Sequence, residues 1–340
     1  MPVVVPAFEF SLPDPGAGVV AARVLSDAGS WELERDGGDW RLRREVPGVH
    51  RLEYLIELER ADGTREALPD PGNPLRAPGA FGEKSFQAVD GYAPPWWLEA
   101  EHARGERRRL VVRSRALKRD IDIAVWGPAR VRRPLPLLLV NDGPEYDVLS
   151  SLTTYAAAMI ATDELRPFRV ALLPPGERDE WYSASAAYAR ALVKEILPAV
   201  AARVRVEGAP VGMGASLGGL AMLHAHRRHP DVFAGLFLQS GSFFVPRHDA
   251  HESGFERFQR IVRFVRAATK AGPARRPVPV GVTCGVAEEN IHNNRLIASA
   301  LAAQGEDVHL AELGDTHNYV AWRDAFDPHL TDLLVRAWWS

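Results

Sequence analysis

From about residue 110 onward, short near-continuous apolar runs alternate with longer segments of helical period. No other feature restricts the fold as strongly. The runs fall at 109–112, 121–125, 135–140, 168–173, 209–213, 235–239, 278–283 and 307–313. Helical patterns fall at 183–204, 217–229, 254–271, 290–304 and 319–338. A strand that is apolar on both sides must be covered on both sides, and intervening helices supply the cover. A largely parallel α/β sheet is therefore expected. Residues from about 17 to 105 keep another rhythm. Short alternating segments at 19–24, 31–33, 40–44 and 52–58 are separated by Asp36-Gly37-Gly38, Asp62-Gly63 and Asp70-Pro71-Gly72-Asn73-Pro74. Strands and turns at that spacing predict a β-sandwich with Trp31 and Trp40 in its core. The 340 residues are expected to divide into a β-rich domain over 1–105 and an α/β domain over 106–340, because a single core rarely grows past about 250–300 residues.

Within the α/β half, Gly214-Ala215-Ser216-Leu217-Gly218 fits G-x-S-x-G and joins an apolar run to a helical one. A strand-to-helix turn of this kind is the context of a nucleophile elbow. Gly214 and Gly218 have to be small there, and the turn lifts the serine Oγ from the carboxyl end of the sheet. The same turn aims the Leu217 N–H and the helix N-terminus at developing negative charge. A dinucleotide-binding loop would occupy the same place. Yet Gly212-x-Gly214-x-x-x-Gly218 misses that glycine spacing by one residue, and the next strand ends in Gln239-Ser240 where an acid should bind ribose.

A nucleophilic serine needs a base, and the base an orienting acid. On this fold the expected chain order is Ser, acid, His, with the last two on loops after late strands. The run at 278–283 is followed by Cys284-Gly285-Val286-Ala287-Glu288-Glu289-Asn290, so Glu288 is the expected acid and Glu289 its alternative. The run at 307–313 is followed by Gly314-Asp315-Thr316-His317-Asn318, which makes His317 the expected base. Asp315 stands too close in sequence to reach that ring easily. His224, His226 and His229 lie on the helix after the elbow and are expected to pack. A second oxyanion donor should come from Asn141-Asp142-Gly143-Pro144-Glu145-Tyr146, after the early run at 135–140. Pro144 has no N–H, which points to Gly143, with Glu145 as the alternative.

Composition removes several classes of function. The formal net charge of -3 gives no polyanion-binding signal, so nucleic acid is not an expected partner. The single cysteine, Cys284, allows no intrachain disulfide, and no Cys/His cluster suggests a metal. No cofactor is implied. No apolar run approaches the roughly 20 residues that span a bilayer. The first sixteen residues, MPVVVPAFEFSLPDPG, lack the basic start and apolar stretch of a leader. A cytoplasmic setting is expected, with a small-molecule ester as the partner.

These motifs, in this order, resemble the enterochelin esterase (ferric enterobactin esterase) family within the esterase D-like α/β-hydrolases. The resemblance rests on Leu137 to Gly143, on Gly176-Glu177-Arg178-Asp179-Glu180-Trp181, and on the elbow from Gly212 to Gly219. It rests also on Leu238-Gln239-Ser240-Gly241-Ser242-Phe243-Phe244, on Gly285 to Glu288, and on Gly314 to Asn318 with Trp322-Arg323. It implies an α/β-hydrolase fold preceded by an immunoglobulin-like early-set β-sandwich. It implies hydrolysis of an iron-siderophore ester or another bulky ester. It places Arg178 toward an anionic substrate and Ser242 and Phe243 along the substrate pocket. Two departures bear on the ester's identity. Pro144-Glu145-Tyr146 stands where the family carries a bulky aromatic soon after Asp-Gly, and Phe243-Phe244 replaces tryptophans. The same triad would also serve a general carboxylesterase or an acyltransferase. A carbohydrate-binding protein or an inactive scaffold is the reading from a different class.

Overall fold

The computed structural model describes residues 5–13, 16, 18–89 and 91–339. Met1–Val4, Asp14 and Pro15, which belong to the first sixteen residues expected to lack a leader, lie outside the described residues, as does Ala17.

The chain forms two compact units. One holds residues 1–94 together with 285–289 and 312–321; the other holds 95–284, 290–311 and 322–340. The first unit therefore ends at Pro94 rather than at residue 105, and it takes in two segments from late in the chain. Trp97 explains the earlier boundary: it is fully buried in the second unit, edge-on to Tyr155 at 5.5 Å and stacked with Phe326 at 6.2 Å.

The first unit contains β1 (Ala7–Leu12), β2 (Val19–Ser26), β3 (Gly29–Glu32), β4 (Glu34–Asp36), β5 (Asp39–Glu45), β6 (Arg51–Arg60), β7 (Arg65–Leu68), β8 (Arg76–Ala77) and β9 (Lys84–Ala88). They make two antiparallel sheets, ordered β1-β5-β4 and β3-β2-β6-β9-β8, with β7 also paired to β6. Alternation along β1, β2 and β6 turns Phe8, Phe10, Val24, Leu52, Tyr54 and Ile56 into one shared core. Trp40 is buried in that core beneath Arg35, and Trp31 is half-buried beneath Arg44. Tyr54, buried in the same core, donates its hydroxyl to Asp70 Oδ2 at 2.6 Å, which satisfies a phenol that burial would otherwise penalise.

The second unit is built on eight strands: β10 (Gly105–Ser114), β11 (Arg119–Pro128), β12 (Leu137–Val140), β13 (Arg169–Leu172), β14 (Val211–Ala215), β15 (Gly235–Gln239), β16 (Pro279–Gly285) and β17 (Asp307–Leu313). Their order is β10-β11-β13-β12-β14-β15-β16-β17. The pairs β13–β12, β12–β14, β14–β15 and β15–β16 are parallel, and the β10–β11 hairpin joins β13 antiparallel. Every residue of β12, β13, β14 and β15 is buried, as central parallel strands require. The fold of this unit is mixed α/β on one large sheet.

The helices follow the expected periods with local breaks. The pattern at 183–204 becomes Ala186–Ala191, a π turn over Leu192–Ile196, and Leu197–Arg203. The pattern at 319–338 is interrupted where Asp327 leaves the helical region just before Pro328, as a residue preceding proline tends to do. Leu152–Ala161 is a core helix, with Tyr155, Ala156, Ala158 and Met159 fully buried.

Candidate active site

In the second unit, β14 delivers Ser216 at its carboxyl end. Helix Leu217–Arg228 starts at the next residue, and its path ends at His229, whose backbone is driven out of the helical region by Pro230. Ser216 has φ 54° and ψ −126°, a combination that a residue with a Cβ adopts only when its surroundings force it. The surroundings do so by close approach. A Cβ on Gly214 would lie 2.5 Å from the Gly218 carbonyl, and one on Gly218 would lie 3.1 Å from Asp142 Oδ2. The Ser216 N–H is fixed to Gln239 O at 2.9 Å, and Asn141 Nδ2 holds the Gly218 carbonyl at 2.9 Å. Leu217 opens the helix, so its N–H has no intrahelical acceptor.

Ser242 lies beside the elbow. Its hydroxyl is 3.0 Å from Ser216 Oγ, and its N–H donates to Ser216 O at 3.1 Å. The loop that presents it is clamped from beneath. Asn294 Oδ1 accepts from Gly241 N–H at 2.9 Å, Asn290 Nδ2 donates to Ser240 O at 2.9 Å, and Trp322 Nε1 donates to Ser240 Oγ at 3.0 Å. Sequence reasoning passed over Asn290 and Asn294. The available signal was their position at the start of a helix, Asn290 as its cap and Asn294 in its first turn, where amides either face water or satisfy a buried backbone.

Two expected site residues take other roles. Gly143 is not available as an oxyanion donor, because its N–H already donates to Leu173 O at 2.9 Å. It has to be glycine for packing: a Cβ there would lie 2.7 Å from the Leu173 nitrogen. Phe243 does not line a pocket. It is fully buried in the main core of the unit, folded against Gly241, where any Cβ would overlap its ring. The outward member of the pair is Phe244, half-buried and stacked on Phe258 at 5.6 Å.

Arg178 is committed to the loop after β12. Its Nε reaches Asp142 Oδ1 at 3.1 Å, its Nη2 reaches Asp142 Oδ2 at 3.1 Å, and its guanidinium covers the Tyr182 ring. Asp142 is almost fully buried. Burial pushes its carboxyl above the ordinary range, and Arg178 pulls against that shift. His224 and His226 pack as expected; burial drives His224 down to about 4.

In the first unit, the segment after β16 carries Glu288 and the segment after β17 carries His317. Glu288 Oε2 stands 2.7 Å from His317 Nδ1, and Glu288 Oε1 accepts from Gly285 N–H at 2.7 Å. Glu288 is buried, whereas Glu289 is exposed. Asp315 turns away to Arg51 Nη1 at 3.0 Å. Of the three acids weighed, Glu288 therefore holds the ring. An Nδ1–H donated to a carboxylate leaves the basic lone pair on Nε2, the nitrogen that a general base of this kind uses.

Comparison with known proteins adds to this geometry. The iron(III) enterobactin esterase of Escherichia coli O6:H1 is 27% identical over 299 residues, covering 81% of this chain and 70% of the relative. The crystal structure of ferric enterobactin esterase from Salmonella typhimurium superposes with a TM-score of 0.78 at 20% identity, covering 96% of this chain and 93% of that one. The enterobactin esterase of Shigella flexneri, solved in the presence of enterobactin, gives 0.75 at 18% identity, covering 96% and 92%. Among the described residues no helix is long and apolar enough to cross a membrane. Residues 114–333, well over half of the sequence, match the family described as "Putative esterase", and the chain belongs to that esterase family.

Proposed function

We propose that this chain is a serine esterase that hydrolyses the ester bonds of an iron-loaded siderophore, with Ser216, His317 and Glu288 as its catalytic triad. The observation that carries the reading is the elbow. Ser216 is held at φ 54° between Gly214, where a Cβ would collide with backbone, and Gly218, where one would press on Asp142, a strained placement characteristic of nucleophilic serines. The bond of 2.7 Å between His317 Nδ1 and Glu288 supports it by fixing the imidazole tautomer.

In this reading Ser216 Oγ attacks the ester carbonyl carbon while His317 Nε2 takes the hydroxyl proton. The carbonyl electron pair moves onto oxygen, where Leu217 N–H stabilises it. With Gly143 N–H bonded to Leu173 O, the second donor is assigned to Glu145 N–H in the first turn of helix Gly143–Leu149, which has to leave the residue's own carboxylate to serve. Collapse of the oxyanion breaks the bond to the leaving alcohol, which takes the proton from His317. Water, deprotonated by the same nitrogen, then attacks the acyl-enzyme, releases the acid and returns Ser216 to its hydroxyl form. Glu288 stabilises the imidazolium at each stage.

The siderophore reading follows the relatives, whose names give iron(III) enterobactin as substrate. Iron would arrive as cargo of the ester and leave when the ligand is cut, which fits a cytoplasmic enzyme. The two sheets of residues 1–94 fit an immunoglobulin-like early-set sandwich, and the second unit fits the α/β-hydrolase fold. Arg178, engaged by Asp142, is assigned to holding that loop in place of direct contact with an anionic substrate.

The test is labelling with a fluorophosphonate probe read by intact mass, wild type beside Ser216→Ala, followed by chromatography of ferric enterobactin digests. One adduct is expected on the wild type and none on the variant, with turnover of the siderophore falling on the order of a millionfold. A folded wild type that takes no adduct sinks the mechanism. A labelled enzyme that cleaves simple esters and leaves the siderophore intact sinks only the substrate.

A further inference from the structure

The turn that carries His317 is organised around a buried carboxylate that takes no part in the triad. Asp315 Oδ1 accepts from Thr316 N–H at 2.7 Å and from Asn318 Nδ2 at 2.8 Å, closing the turn on either side of His317. Asn318 Oδ1 in turn accepts from Ala321 N–H at 2.8 Å and ties the turn to the following helix. The other carboxylate oxygen of Asp315 faces away from the turn and meets Arg51 Nη1 at 3.0 Å, and the same nitrogen makes a longer bond of 3.4 Å to Asn318 Oδ1. Arg51 opens β6 and is 2% exposed. Its other terminal nitrogen meets Glu53 Oε1 at 2.6 Å, and its planar group lies over the Phe86 ring at 4.9 Å.

A guanidinium held by two carboxylates and an aromatic face has little rotational freedom. Whatever it bonds is located by the sheet it grows from. The backbone beside it adds a second tie: His50 N–H donates to Gly314 O at 2.8 Å, and a Cβ on Gly314 would meet the Gly48 carbonyl at 2.9 Å. Burial of three charged side chains is costly, and well-packed apolar residues in their place often serve stability as well or better. Retention of the cluster next to His317 asks for another role.

We propose that Arg51, acting through Asp315, is a positioning residue for His317: it sets the height and tilt of the histidine turn from the first unit's sheet. The inference rests on the reading of His317 as general base. The acid and the base of that reading lie in segments of the first unit, the unit that also carries Arg51.

The experiment uses the full chain, with p-nitrophenyl acetate as substrate and a fluorophosphonate endpoint to count competent sites. Arg51→Met and Asp315→Asn are measured beside wild type, with circular dichroism melts on each. Asp315→Asn keeps Oδ1 for Thr316 and Asn318, removes the ion pair with Arg51 and leaves Arg51 only its longer bond to Asn318 Oδ1. Both variants are expected to lose roughly 10–100-fold in kcat per titrated site, the cost of a misplacement near 1 Å, with KM held within about twofold. Arg51→Lys should recover part of the loss because it keeps the charge while losing the fork. Unchanged kcat per titrated site, even with a lowered Tm, overturns the inference and leaves Arg51 a stability residue. If Arg51→Met does not fold, Asp315→Asn decides alone. A wild type that neither labels nor turns over would instead defeat the esterase reading, and the two failures are distinct.

Discussion

Ser216 and His317 are each presented by a tight turn, but the two turns are made of different materials. The serine turn is made of backbone. Gly214 and Gly218 allow strand and helix to touch, the Gln239 carbonyl holds the Ser216 N–H, and fully buried parallel strands lie beneath. The histidine turn is made of side chains. Asp315 and Asn318 close it, and its anchor, Arg51, stands 264 positions away in the chain. Backbone geometry of the first kind is written locally, so a short motif reveals it. Support of the second kind depends on which distant strand happens to face the turn.

After the loss of Ser216 itself, the largest expected effect tests the histidine side. Glu288→Gln keeps the size of the side chain but lets the wrong imidazole tautomer form, and turnover of p-nitrophenyl acetate should fall on the order of 10⁴-fold, as in triads that lose their acid. Glu289→Gln, at an exposed position, should stay within about twofold, like other surface changes. If the two losses were reversed, Glu288 would be only a structural partner of His317.

The same contrast explains what the sequence disclosed. The alternation of apolar runs and helices predicted the eight-stranded sheet region because central parallel strands must be apolar throughout. The strands at 7–12, 34–36, 65–68, 76–77 and 84–88 were not anticipated: those at 34–36 and 65–68 face solvent and leave no period to read, those at 76–77 and 84–88 are short, and the alternation at 7–12 was legible and passed over. The elbow was legible through its glycines, and the Glu288–His317 pair, proposed here as acid and base, through its place after late strands. Gly143 was misassigned because sequence shows which residues own an N–H but not which carbonyl has taken it. Phe243 was misassigned because adjacent residues leave a loop in opposite directions, and resemblance could not say that Phe244 faces outward.

That last distinction gives the second comparison, on the serine side. Phe243→Ala empties a site in the main core, and its stability in urea should drop by about 3–5 kcal/mol. Phe244→Ala loses part of a half-exposed stack on Phe258, worth about 0.5–1.5 kcal/mol. A Phe243→Ala protein that kept its stability while its KM rose would return Phe243 to the pocket wall.

The smallest expected effect separates support from stability in the histidine turn. Burial lifts the Asp315 carboxyl to about 6, with Arg51 pulling the other way, against about 3.9 in an unfolded chain. The cluster holds two carboxylates, Glu53 and Asp315, on one guanidinium, so it is short of positive charge once both ionise. Folding then takes up a proton between those two values. The stability that protonated Asp315 contributes is complete below about pH 4 and is lost as pH rises through about 6. Asp315→Asn has no such slope. Its Tm, taken relative to wild type, should climb from pH 4.5 to pH 7 and then level off, while its deficit in kcat per titrated site persists. A difference that stayed flat, or fell with rising pH, would mean that Arg51 outweighs burial and that the pair is held for stability. The expected outcome, a variant that gains in stability relative to wild type as the wild-type Asp315 ionises and still turns over slowly, fits a carboxylate kept for where it puts its neighbour.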